Sequence, residues 1–334
     1  VNAGTMTFDF DAYVTAAFFD RSGRTLFALG DGTVRAVAAG GFITVEAHDG
    51  AVLAACRHPS GDGILTGGDD GRVVWTRVDG EEIAATLVAE VKGRWIDAVA
   101  ASAESGLIAF SAGRDLHVRD SNDAAFARVF THEKSVSDVA FDPKGRRIAA
   151  ATYGGAALWY ARIAEQKPSL LKWAGAHSLV AFSPDGKFLM SAMQENSLHG
   201  WTVADGKNMR MGGYPAKVKS MAFLSNGVML ATSGANGAVV WPFSGATGPM
   251  GKEAAEIGFD QTALVVRVAA TPKLALLAAG LDDGRVWVAD LKSGKMDTLK
   301  AEKGAAISAL AITADGGRVA WGDEEGAAGV VERL

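Results

Sequence analysis

Short apolar runs, broken by turns rich in glycine and aspartate, recur along the whole chain. Eight stretches share one layout: the apolar end of a strand, a turn, then a second apolar strand. They are FFDRSGRTLFAL (18–29), CRHPSGDGILTGG (56–68), AASAESGLIAFS (100–111), AFDPKGRRIAAAT (140–152), AFSPDGKFLMSAM (181–193), AFLSNGVMLATSG (222–234), AATPKLALLAAG (269–280) and AITADGGRVAWG (311–322). A turn glycine recurs at Gly23, Gly61, Gly106, Gly145, Gly186, Gly227 and Gly316, while Leu274 takes its place in the seventh copy. A third apolar strand follows each copy, as in GRVVWTRV (71–78), GAALWY (155–160) and GRVWVAD (284–290), and a shorter fourth run such as EEIAATLV (81–88) precedes the next. Four short strands repeated about every 42 residues predict the blades of a β-propeller, an all-β fold.

The repeat explains the stretch ILTGGDDGRVVWTRV (64–78), where paired glycines and paired aspartates invite a catalytic or phosphate-binding reading. The same motif returns as LGDGT, GANGA, GLDDGR and GDEEG at matching points of other copies. A catalytic pair would not be copied around the molecule. Glycine supplies positive φ at no steric cost and aspartate bonds its own backbone, so these are hairpin turns.

These residues resemble the WD-repeat family of β-propellers along essentially the whole chain. AFSPDGKFLMSA (181–192) is very close to the family's second-strand signature, and AFDPKG (140–145), DDGRVVW (70–75) and DDGRVWVAD (282–290) are good matches. The resemblance implies a buried tetrad in which a His before the first strand joins a Ser or Thr, a turn Asp and a third-strand Trp. His48, Thr66, Asp70 and Trp75 are its candidates in the second unit, and His132 holds the His offset in the fourth. The sequence departs from the family in having no Trp-Asp dipeptide. Trp173 stands at the His place of the fifth unit and Tyr214 at that of the sixth, so packing should hold most units together.

Strand bookkeeping predicts a single closed propeller over residues 1–334, with eight four-stranded blades. Seven is the alternative, if the third or eighth unit is not a full blade. The chain stops after the third strand of its eighth unit, which would leave an unpaired sheet edge. TMTFDF (5–10), with Met6, Phe8 and Phe10 alternating, can supply the missing strand. Residues 1–5 read as a tag remnant.

Composition narrows the function. With 49% hydrophobic and 21% charged residues the chain is globular, and a formal charge of −5 without a basic run argues against nucleic acid. Cys56 is the only cysteine, which rules out an intrachain disulfide and fits a reducing compartment. No apolar run reaches the roughly 18 residues a bilayer span needs, so no membrane association and a cytoplasmic location are expected.

The six histidines, His48, His58, His117, His132, His177 and His199, show no zinc-ligand spacing, and GDGILTG (61–67) leads into a strand where a nucleotide loop must open a helix. No cofactor or metal is expected. Trp75, Trp159, Trp201, Trp241 and Trp287 lie in third strands, where inter-blade packing is the ordinary explanation. Trp95 precedes the first strand of the third unit, at the place of Tyr13, Ser135 and Lys217 elsewhere, with Arg94 and Lys134 one residue earlier in their units. In the family that place lies on the top face by the channel mouth, where partner peptides dock, and the turns holding Tyr153, Gln194 and Asn236 open on the same face. The alternative for Trp95 is to fold down and cap a blade.

The expectation is a non-enzymatic scaffold, monomeric outside its complex, that binds an unidentified protein or peptide. Tyr13 and Trp95 would be aromatic anchors, Arg94, Lys134 and Lys217 cationic contacts, and Tyr153, Gln194 and Asn236 further contacts. One alternative is a small-molecule or metal-binding propeller with hydrolase-type chemistry, for which Glu195, Asn196, Asn236, Asp282 and Asp283 are the donors available. Another is a purely structural subunit of a larger assembly.

Overall fold

Second strands are apolar on both faces, and in the computed structural model, which describes residues 4–333, they are buried on both. Thr25–Leu29, Ile64–Gly68, Leu107–Ala112 and Phe188–Met193 are buried at every position. Outer strands alternate or lie open, as in Gly41–Glu46 and Glu82–Glu90. That gradient is what a short antiparallel sheet shows when neighbours cover both faces of its centre and its edge meets water. The turns are built as expected: Gly23, Gly61, Gly106, Gly145, Gly186, Gly227 and Gly316 all have φ between 62° and 84°, a region that β-branched or bulky residues avoid.

Two compact units can be distinguished. One comprises the chain up to Phe19, Asn196–Leu198 and the chain from Met209 on; the other comprises Asp20–Glu195 and His199–Asn208. In the second, Val52–Glu90 and Ala98–Thr131 each give a four-stranded meander, and between them lies a core that includes Leu65, Val73, Ile96, Ile108 and Phe110. Leu107, Leu116, Phe130, Ile148 and Trp159 form the next apolar layer, and Leu158, Leu171, Leu189 and Trp201 the one after.

In the first unit Met221–Ile257 and Val265–Lys300 form similar meanders around Leu224, Val240, Leu277 and Trp287. The last sheet runs Thr5–Asp9, Ala327–Glu332, Arg318–Asp323, Ile307–Ile312. Met6 sits opposite Val330 and Phe8 opposite Ala328, so the N-terminal strand does complete this sheet. Of the suspected tag remnant, residues 1–3 lie outside the described residues, as does Leu334.

The described strands make seven sheets, six of four strands and one of six, which corrects the expectation of eight separate sheets to the alternative count. The third and eighth sequence units do form sheets of their own. The reason for the lower count lies between the fourth and fifth, where two fourteen-residue strands, Arg147–Tyr160 and Ser169–Phe182, run through points at which other units break. The first doubles back on itself, with Ala161 N–H donating to the Arg146 carbonyl. The second pairs with it through Leu170 and Lys172, then with Phe188–Met193 through Leu179 to Phe182. Hydrogen bonding thus passes unbroken from one sequence unit to the next.

Side chains of the first strands reach across to the next first strand. Ser308 Oγ donates to the Val14 carbonyl at 2.7 Å, and Val268 N–H donates to Ser220 Oγ at 3.0 Å. In the other unit Ser137 Oγ donates to the His177 carbonyl and Val180 N–H to Asp138 Oδ2.

Candidate functional site

Loops that lead into first strands fold against the turn of the preceding sheet. Val91 and Ile96 N–H donate to the Gly71 and Gly68 carbonyls, and His132 and Val136 N–H to those of Arg114 and Gly113. Gln194 N–H donates to the carbonyl of Ala176, the residue opposite Tyr153. These hydrogen bonds put Arg94, Trp95, Lys134, Tyr153 and Gln194 at the same end of the sheets within one unit.

Beneath this surface lie the buried polar networks. His48 Nε2 meets Thr66 Oγ1 at 2.8 Å and its Nδ1 meets Asp70 Oδ1 at 3.0 Å. Asp70 also accepts from Arg72 N–H and Asp49 N–H. Desolvation pushes its carboxyl up, but together these hydrogen bonds and His48 hold it below its ordinary value. Trp75 does not join this set. Thr66 pairs with Val74, so Trp75, paired with Leu65, points to the opposite face. There its Nε1 donates to the Asp62 carbonyl at 2.8 Å and its ring stacks on His58 at 4.1 Å.

In the sixth unit Thr232 pairs with Val239 and Leu230 with Trp241, which puts Thr232 and Trp241 on one face. Tyr214 joins them, its hydroxyl 2.7 Å from Thr232 Oγ1 and accepting from Trp241 Nε1 at 2.7 Å. In the fifth unit His177, not Trp173, contacts the strand serine, with Nδ1 2.8 Å from Ser191 Oγ. Trp173 stacks on His199 instead. The offset that assigned the role to Trp173 fails because the first strand here continues directly from the preceding outer strand.

On the surface Tyr153 and Trp95 are the two most exposed large apolar side chains described, at 66% and 63%. Trp95 is therefore not folded down. Arg94, Lys134 and Gln194 are exposed. In the other unit Tyr13 is exposed and interacts with the partly buried Arg267, while Lys217 is half-buried. Asn236 donates from its amide nitrogen to the Asp260 and Ala263 carbonyls, so it ties its turn to the loop that leads into the next first strand.

A groove of about 460 Å³ opens beside Tyr153. Its lining includes His132, Glu133 and Lys134 of one loop together with Tyr153, Leu170 and Lys172. Gly155 and Ala157 form its floor with Trp159. The sequence showed Lys134 and Tyr153 as separate surface residues. It gave no sign that Leu170 and Lys172 join them, because those come from an outer strand whose pairing only folding fixes.

Four of the five donors proposed for catalysis or metal binding are engaged elsewhere, Asn236 as described above. Asn196 Nδ2 donates to the Pro215 carbonyl, Asp282 accepts from Leu264 N–H, and Asp283 is paired with Arg285 and Lys303. Among the described residues no group of three or more His, Cys, Asp or Glu side chains is placed to hold a metal ion. No helix among them is long and apolar enough to cross a membrane.

Residues 42–75 and 125–159 match the family model described as WD domain, G-beta repeat. Each match runs from an outer strand through the next first and second strands to a third-strand tryptophan. Those two segments match WD40 repeats, and the fold is a β-propeller. No curated protein matches the sequence. Among solved structures, the propeller is similar to that of the computationally designed Ika8 protein, with a TM-score of 0.76 and 17% identity over 97% of this chain and 98% of that one. At that identity the likeness concerns the fold alone.

Proposed function

We propose that this WD40 propeller is a non-enzymatic protein-interaction module, and that its partner docks on the sheet ends that carry Trp95 and Tyr153. Propellers of WD40 repeats commonly mediate protein–protein interaction, which is the broader support. The observation that carries the reading is the exposure of those two aromatic side chains. Each has a cation near it, Arg94 next to Trp95 in sequence and Lys134 on the same groove as Tyr153. Exposed Trp, Tyr and Arg are the residue types that anchor interfaces, since they bury large rigid area on binding. Rigid sheets beneath spare the backbone an ordering cost at the moment of docking.

The test is affinity capture from native cell extract with the wild-type chain and a Trp95→Ala/Tyr153→Ala variant, read by mass spectrometry. A protein enriched by the wild type and lost with the folded variant is the expected result. Equal capture by both forms would remove the site. No capture, together with a melting temperature raised by a metal ion or metabolite, would favour the ligand-binding alternative.

A further inference from the structure

The groove beside Tyr153 owes its existence to small side chains. Ala157 and Trp159 lie on one face of their strand, because side chains two apart point the same way, while Gly155 beside them has φ 134° and a Cβ there would meet the Leu171 carbonyl. Two residues before Trp241, whose indole likewise donates into the polar network, stands Val239, where this strand has Ala157. Gly155 pairs with Lys172 and Ala157 with Leu170, so the outer strand presents a leucine beside the space that Ala157 leaves and a lysine next to it. Leu170 is 58% exposed, among the highest values for large apolar residues.

The floor is chemically closed. Trp159 Nε1 donates to His132 Nε2 at 3.0 Å, and His132 Nδ1 lies 3.1 Å from the Arg114 carbonyl. An indole N–H can only donate, so Nε2 accepts, and Nδ1 carries the proton that Arg114 receives. Neither nitrogen remains to act as a base or a ligand, and the floor can only pack. What the groove offers an incoming group is apolar surface from Tyr153 and Leu170, and positive charge from Lys134 and Lys172 against the single carboxylate of Glu133.

From this juxtaposition we infer that the groove lined by the His132–Lys134 loop, Tyr153, Leu170 and Lys172 binds a short acidic peptide segment that places one large apolar side chain over Gly155 and Ala157. The inference rests on the interaction-module reading and deepens it by naming the partner's chemistry. The volume is within the roughly 300–1,000 Å³ of small-ligand sites, which suits one buried side chain and its flanking backbone. Two lysines at the rim steer carboxylates on either side of that anchor, and the apolar walls distinguish a peptide from a bare polyanion.

The experiment is fluorescence anisotropy with two labelled pools of short peptides. Both carry Leu, Phe or Trp at a central position; one has Asp or Glu on both sides, the other Lys. The acidic pool should bind in the micromolar range and weaken with added salt. Lys134→Glu/Lys172→Glu should raise Kd by about tenfold or more, and Ala157→Leu, which fills the floor, should do the same. Circular dichroism and thermal melting check folding. If Ala157→Leu fails to fold, the exposed lysine variant alone decides.

Equal affinity for the two pools, no binding of the acidic pool, undiminished binding by the lysine variant, or an oligonucleotide binding as tightly as the acidic pool would each overturn the inference. If the peptides fail while capture from extract still depends on Trp95 and Tyr153, only the groove assignment falls. If capture fails as well, the interaction-module reading falls with it.

Discussion

Trp159 Nε1 donates to His132 Nε2 at 3.0 Å, across 27 residues of chain and between two sheets. The bond fixes His132 as a neutral imidazole whose other nitrogen donates to the Arg114 carbonyl. Burial pushes its pKa below the ordinary histidine value, with the backbone carbonyls of Arg114 and Phe130 opposing. The outer-strand Phe130 stacks on the same indole at 4.5 Å, so one tryptophan ties together a loop, an outer strand and the floor of the groove.

Protonating His132 replaces its acceptor lone pair with a second N–H that faces the indole donor. In the unfolded chain the imidazole titrates near 6.5, and in the folded chain lower. Between those values the unfolded state binds more protons, so stability should fall as pH drops below about 6.5. His58, held down to about 4 by burial against the Asp62 attraction, adds to the same trend. Urea midpoints measured at pH 7.5 and pH 5 should show the loss in the wild type and a smaller loss in His132→Gln.

Asp138 makes the opposite prediction. Burial pushes its carboxyl up to about 7, and the hydrogen bonds from Val180 and Val139 N–H only partly oppose this. The unfolded carboxyl ionises near 3.9, so above that value ionisation progressively favours unfolding, and the penalty is complete once pH exceeds about 7. Asp138→Asn keeps an acceptor for Val180 N–H without the charge. At pH 8 it should stabilise the chain by on the order of 4 kcal/mol, since about three pKa units separate the folded from the unfolded carboxyl and each is worth about 1.4 kcal/mol. At pH 4 it should change little. A variant no more stable than wild type at pH 8 would mean that burial does not raise the carboxyl's pKa.

Tyr214 replaces a histidine in the sixth unit and does its work with one oxygen. Its hydroxyl contacts Thr232 Oγ1 and accepts from Trp241 Nε1, and burial pushes its pKa up to about 12. Tyr214→Phe leaves Trp241 without that acceptor and Thr232 without that partner. The expected cost is about 1–3 kcal/mol, that of stranding a buried polar group. It would be read as a lower urea midpoint with unchanged m-value.

Much of the fold was legible because the repeat is written in local chemistry. Turn glycines, apolar second strands and the alternation of Met6, Phe8 and Phe10 each follow from backbone sterics and strand period, which neighbours in sequence set. The polar networks were legible only in part. His48, Thr66 and Asp70 meet as spacing suggested, but Trp75 does not, because one residue of strand register decides which face a side chain takes. The aromatic and cationic residues of the candidate site could be named from residue type and position, whereas their grouping could not.

By itself, then, the sequence determined the all-β repeat, its turns, the strand that completes the last sheet and the absence of a disulfide. Tertiary structure decided three things. It joined the fourth and fifth units into one six-stranded sheet, because two strands ran on through their breaks. It sent Trp75 to Asp62 and Tyr214 to Thr232 through pairing registers that no local pattern specifies. It also brought Lys134 and Lys172 to one groove with Gly155 and Ala157, since a groove is the space between elements distant in the chain, and only their packing gives it a shape.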